Sequence, residues 1–159
     1  MLIRDSSLAN DTVYFRMSQR FDGGPGTFSV GIRHFATEDL PSNDDCESAQ
    51  FLQVSNGSCS PDTFDNLNTT YSEVPTGSCG GFVGSDVWFN FIMPSSDDVT
   101  ATLSQLDQNA SDFRITAFTG GCASLVEQSC ASSGNYPDLN IRNQSLAGDT
   151  IWLHVYRTF

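Results

Sequence analysis

Five cysteines, two histidines and a surplus of aspartate are the residues of this 159-residue chain whose types and spacing could do chemistry. The cysteines are Cys46, Cys59, Cys79, Cys122 and Cys130. None lies in a Cys-x-x-Cys pair, and His34 and His154 sit in apolar alternations away from the cysteines, which is not zinc-site spacing. The sulfur chemistry that remains is disulfide formation in an oxidising, extracellular compartment. The gaps 46–59 and 122–130 suit two local bridges, with Cys79 left over.

The carboxylates are 15 Asp and only 4 Glu. Asp44, Asp45, Asp86, Asp97, Asp98 and Asp112 fall near the ends of apolar runs, where several oxygens could converge on calcium. No EF-hand spacing occurs, and the plain alternative is that these residues form turns and carry solvated charge. Five N-x-[ST] sequons start at Asn10, Asn56, Asn68, Asn109 and Asn143. They read either as glycosylation candidates on surface loops or as a product of a composition rich in Asn, Ser and Thr. No other cofactor is expected.

Charge narrows the partners. Seven arginines against 19 acids leave a net charge of −12, which repels nucleic acid and anionic lipid. No apolar run approaches the roughly 18 residues of a membrane-spanning helix. There is no lysine, so no Lys–Asn isopeptide staple can form within the chain.

The elements that must position these groups read as strands. Period-two alternation runs through Val13–Met17, Phe28–Ile32, Val87–Ile92, Val99–Leu103, Phe113–Phe118 and Ile151–Tyr156. Val87–Ile92 is apolar on both faces, which predicts a central strand. Turn clusters at 22–26, 77–81, 94–98, 119–121 and 132–137 separate the runs. A helical period is absent, except for a short turn at Asp45–Gln50. Many short strands without helices predict an all-β fold, an antiparallel β-sandwich stapled by disulfides.

The chain also repeats itself. Met1–Phe21 aligns without gaps on Leu139–Phe159, with 8 of 21 positions identical and a period of about 138 residues. Two segments that specify one strand cannot share one slot in a domain. Residues 1–36 are therefore expected to be the C-terminal strands of a preceding repeat, or strands donated to a neighbour. Residues 37–42 form a short Pro-containing linker, and 43–159 the next repeat, lacking its final strand. A truncated single domain is the plain alternative.

The repeat bears on catalysis. His154 aligns with Arg16, an exchange no general base would survive, so no enzyme is expected. By alternation Trp152, His154 and Tyr156 form a solvent-facing row, with Tyr14 in the aligned segment. That row would touch a local loop, a neighbouring domain or a sugar.

From Asn43 the order of motifs resembles the bacterial secreted pre-peptidase C-terminal-like (PPC-like) domains. The matching features are Asn43-Asp44-Asp45-Cys46, Cys59, Ser78-Cys79-Gly80-Gly81, Ser85-Asp86-Val87-Trp88-Phe89-Asn90-Phe91, Asp112-Phe113, and Phe118-Thr119-Gly120-Gly121-Cys122 followed by Cys130. Gly26-Thr27-Phe28-Ser29-Val30 resembles the family's last strand. The resemblance implies a jelly-roll-like sandwich without a catalytic site, used beside secreted peptidases or in tandem in cell-surface and adhesive proteins. It implies the bridges Cys46–Cys59 and Cys122–Cys130. Cys79 is then either unpaired or joined to a tail strand of another repeat. The expected function is a structural repeat of an extracellular filament or stalk whose partners are copies of itself. The alternative is a carbohydrate- or protein-binding accessory or adhesin module.

Overall fold

The computed structural model describes residues 40–158, apart from 60, 73–76, 82, 97, 105–112, 133–136 and 143–144. The expected preceding-repeat strands at 1–36, most of the linker, and Asn10, Tyr14, Asp97, Asn109, Asp112 and Asn143 lie outside the described residues.

Seven strands are described: β1 (Gln50–Phe51), β2 (Val83–Ile92), β3 (Val99–Thr102), β4 (Phe113–Thr119), β5 (Val126–Ala131), β6 (Asp138–Ile141) and β7 (Thr150–Thr158). Among the described residues the helical content is one 3-10 turn at Cys46–Ser48, where the sequence predicts a short turn. The fold of the described residues is all-β, in two sheets.

The larger sheet has the order β1-β2-β7-β4-β5, and β3 pairs with β6 in the smaller one. β7 is the centre of the larger sheet, antiparallel to β2 on one side and β4 on the other. The alternating segment expected to be central, Val87–Ile92, lies in β2 beside it. Residues of β7 carry both faces because both are covered: Ile151, Leu153 and Val155 point one way, and His154 and Tyr156 the other, all of them buried.

The first face is the main core. Val87, Phe89 and Phe91 of β2, Ile115 and Ala117 of β4, and Ile151, Leu153 and Val155 of β7 pack with Leu139 and Ile141 of β6. The β3–β6 pair therefore lies over the larger sheet. Removing such side chains from water contributes about 1.5–3 kcal/mol each, which is what holds the layers together.

The opposite face is covered by chain rather than by a sheet. Residues 43–49, 70–72 and 77–81 fold over it and are fixed by hydrogen bonds. Trp88 N donates to the Asn43 carbonyl at 2.8 Å, and Asn43 Nδ2 donates back to Trp88 O at 3.1 Å. Asn43 thus occupies the edge of β2 just beyond the short β1.

The disulfide pairing differs from the expectation. Cys46 is bonded to Cys122 and Cys79 to Cys130, and Cys59 is the exposed free thiol. The reason is strand geometry. Cys122 lies in the β4–β5 turn, while Cys130 lies near the far end of β5, opposite Thr116. At about 3.3 Å per residue these two are too far apart to meet the roughly 7 Å Cα limit of a disulfide. Each instead reaches a different segment of the cover.

Candidate functional site

Chemistry-bearing residues converge on the covered face. Pairing across β2, β7, β4 and β5 sets Trp88, His154, Thr116 and Cys130 in one row. Asp86, Tyr156 and Arg114 form the next row. Trp88 stacks on His154 at 4.3 Å, with ring planes 10° apart, and His154 stacks on Tyr156 at 4.7 Å. The imidazole is thus held between two aromatic faces.

His154 Nε2 lies 2.8 Å from Asp86 Oδ2, and neither side chain is exposed to solvent. Nε2 therefore carries the proton and donates it to the carboxylate. Nδ1 is buried without a partner among the described residues. A bare lone pair is the tolerable group to leave there, since a bare N–H would lose a full hydrogen bond. Asp86 Oδ1 accepts from Ser72 N at 3.3 Å, and Ser72 Oγ accepts from Trp88 Nε1 at 3.2 Å. One carboxylate thereby joins two strands to the covering loop.

A second carboxylate does similar work nearby in the cover. Asp44 accepts from Thr70 N at 2.6 Å and from Thr70 Oγ1 at 2.8 Å, and both residues are buried. Charge-assisted bonds of this kind are roughly twice as strong as neutral ones, which suits a loop with no ladder of its own.

The Gly77–Gly81 segment lies flat on the sheet. A Cβ at Gly77 would stand 2.8 Å from Thr116 Cγ2, and one at Gly81 2.6 Å from Thr158 Cγ2, both at positive φ. Only glycine allows that approach. Ser78 then donates from N and Oγ to the Glu127 carboxylate at 2.8 and 2.5 Å. Arg114 Nη1 donates to the carbonyls of Cys79 and Gly80.

The aromatic row expected to face solvent is corrected here. His154 and Tyr156 are fully buried, and Trp152 is half-buried with Nε1 donating to Gly120 O at 2.8 Å. Alternation placed the three on one face correctly, but local loops cover that face. The arrangement resembles the Asp–His half of a hydrolytic triad in its atoms but not in its access. Stacked rings cover both faces of the imidazole, and its side chain is buried.

Of the carboxylates expected near calcium, Asp44 and Asp86 are acceptors for protein donors, and Asp45 flanks the 3-10 turn, where its carbonyl accepts from Ser48. Among the described residues no group of three or more His, Cys, Asp or Glu is placed to hold a metal ion. Of the sequons, Asn56 and Asn68 are exposed, the latter at φ 61° in a turn. An open depression of about 560 Å³ lies between Leu40–Asn43 and Thr63–Asn68. Among the described residues Asp65 is its one titratable side chain, and its walls include the exposed Phe64 and Leu67.

Burial raises the Tyr156 phenol above its ordinary value, with Glu127 adding to the rise. A hydrogen bond with Thr116 and the Arg114 charge oppose it. A raised phenol favours the folded state fully below the unfolded value of about 10, and this contribution fades as pH climbs past it. Stability should thus fall as pH rises past about 10 in guanidinium titrations, and Tyr156→Phe should flatten that fall. An unchanged slope in the variant would assign the loss to another group.

Sequence reasoning missed Thr116, Arg114, Ser72 and Glu127. The available signal was the register of Asp86 and Trp88, two residues apart and hence on one face with whatever covers it.

The chain matches no family model, no curated protein and no solved structure. Among the described residues no helix is long and apolar enough to cross a membrane. The two disulfides are consistent with an oxidising environment.

Proposed function

We propose that this protein is a non-catalytic structural repeat of an extracellular or cell-surface filament or stalk, assembled head to tail by tandem linkage or strand exchange. Its domain is a disulfide-stapled β-sandwich, jelly-roll-like and of the PPC-like type that its motifs resemble. One observation carries the reading. β7 is hydrogen-bonded on both sides, to β2 and to β4, so its slot in the sheet is filled. Met1–Phe21 repeats the sequence of Leu139–Phe159 and so specifies the same strand, whose place is then in another copy.

The chemistry of the covered face agrees with a structural role. Its titratable groups bond to one another and to the covering loops, and two disulfides hold those loops down. A net charge of −12 would keep assembled copies from bundling sideways. The test is the mass of the native material, taken both denatured and intact. The reading requires one of the two to exceed the 17.3 kDa of this chain by whole copies.

A further inference from the structure

We propose that Asn56–Gly57 is a site of spontaneous covalent modification, where the asparagine closes to a succinimide and water opens the ring to aspartate and isoaspartate. The inference does not rest on the assembly reading.

The reaction is an attack by the backbone nitrogen of the following residue on the asparagine side chain. Gly57 N gives its proton to solvent base and bonds to Asn56 Cγ, the Cγ–Nδ2 bond breaks, and ammonia leaves. Water then opens the ring. Cleavage between Gly57 N and Cγ restores the ordinary chain as aspartate. Cleavage between Gly57 N and the Asn56 main-chain carbonyl carbon leaves the chain running through Cβ and Cγ, as isoaspartate. Nothing is oxidised or reduced, and each event adds one negative charge. The step needs water access, an N–H that is not already donating, and no bulky side chain beside that nitrogen.

Asn56 meets all three conditions. Asn56, Gly57 and Ser58 are exposed and form a bend between β1 and Cys59. Among the described residues neither Asn56 nor Gly57 takes part in a hydrogen bond. Gly57 stands at φ 98°, and a Cβ placed on it would meet no described atom within 4 Å. Glycine also turns most freely into the geometry of the ring.

The other described asparagines each fail a condition. Asn43 is buried, and its Nδ2 donates to Trp88 O at 3.1 Å. Asn90 and Asn140 are held in strand ladders, with side chains bonded to Ala49 O and Thr100 Oγ1. After Asn66, Leu67 N already donates to Asp65 Oδ1 at 3.1 Å. Asn68 is exposed but precedes Thr69, whose β-branched side chain crowds the attacking nitrogen. The fold therefore singles out one asparagine. That residue also heads the sequon Asn56-Gly57-Ser58, and a glycan would take the same Nδ2 that leaves as ammonia. Conversion of Asn56 thus erases a glycan acceptor.

The test is timed incubation of the full chain, produced without glycosylation, both natively folded and unfolded in guanidinium with its disulfides intact. Peptide mass spectrometry reads the loss of each amide, and labelling by an isoaspartyl methyltransferase reads the rearranged chain. In the folded protein Asn56 should lose its amide first, in proportion to hydroxide and at close to its unfolded rate. Asn43, Asn66, Asn68, Asn90 and Asn140 should lag behind it. Asn56→Gln and Gly57→Val should each remove the isoaspartate label from the folded protein. Both positions are exposed, so guanidinium unfolding of the variants should match that of the parent. An Asn56 that keeps its amide when folded and loses it when unfolded overturns the proposal. So does another described asparagine that reacts first, or a label that survives Asn56→Gln.

Discussion

Asp86→Ala should lower the folding free energy by about 3–5 kcal/mol, the range for removing one partner of a buried charged or hydrogen-bonded pair. The carboxylate is fully buried, and three groups lose by its removal. His154 Nε2–H loses its acceptor, Ser72 N loses another, and the ring stack through Trp88 and Tyr156 loses the group that orients it. Asp86→Asn keeps an acceptor for Nε2 and should cost less. Replacing the pair together, with Asp86→Leu and His154→Phe, should recover much of the loss, because apolar residues leave no polar group bare. Guanidinium unfolding of the four proteins measures this directly. A single Asp86→Ala cost below about 1 kcal/mol would mean that water reaches the pair.

The second large effect concerns the staples. In the chain-entropy account, closing loops of 76 and 51 residues contributes about 4 kcal/mol for each bridge. Cys46→Ala with Cys122→Ala should cost about 2–5 kcal/mol and free the 43–49 cover from the β4–β5 turn. Cys59→Ser should change stability by no more than about 0.5 kcal/mol, since that thiol is exposed and unbonded. Thiol titration of the unfolded, non-reduced protein should count one free group. A Cys59→Ser loss as large as that of the Cys46 and Cys122 pair would restore the local bridges that the cysteine spacing and the resemblance suggest.

That contrast shows what the sequence could say. Alternation located β2, β3, β4 and β7, because a strand with a buried face must repeat every second residue. β5 and β6 were not found. Val126 at the head of β5 is exposed, a bulge between Ala117 and Phe118 breaks the β4–β5 register, and β6 is only four residues long. The strand-sharing of Trp152, His154 and Tyr156 was legible, but their burial was not. Alternation says which side chains share a face, and only the tertiary path of 43–49, 70–72 and 77–81 decides whether that face meets water. The disulfides were misread for a related reason. Sequence distance favours Cys122 with Cys130, while the rise of β5 carries them apart.

The central claim is that copies of this repeat join end to end, and the mass of the native material tests it most directly. The measurement is made twice, once reduced and denatured and once intact. A denatured polypeptide of several 138-residue periods, or an intact particle that is a whole multiple of a 17.3 kDa subunit, is the predicted result. A mass of 17.3 kDa in both states, apart from glycan, would contradict the account and leave a single autonomous domain.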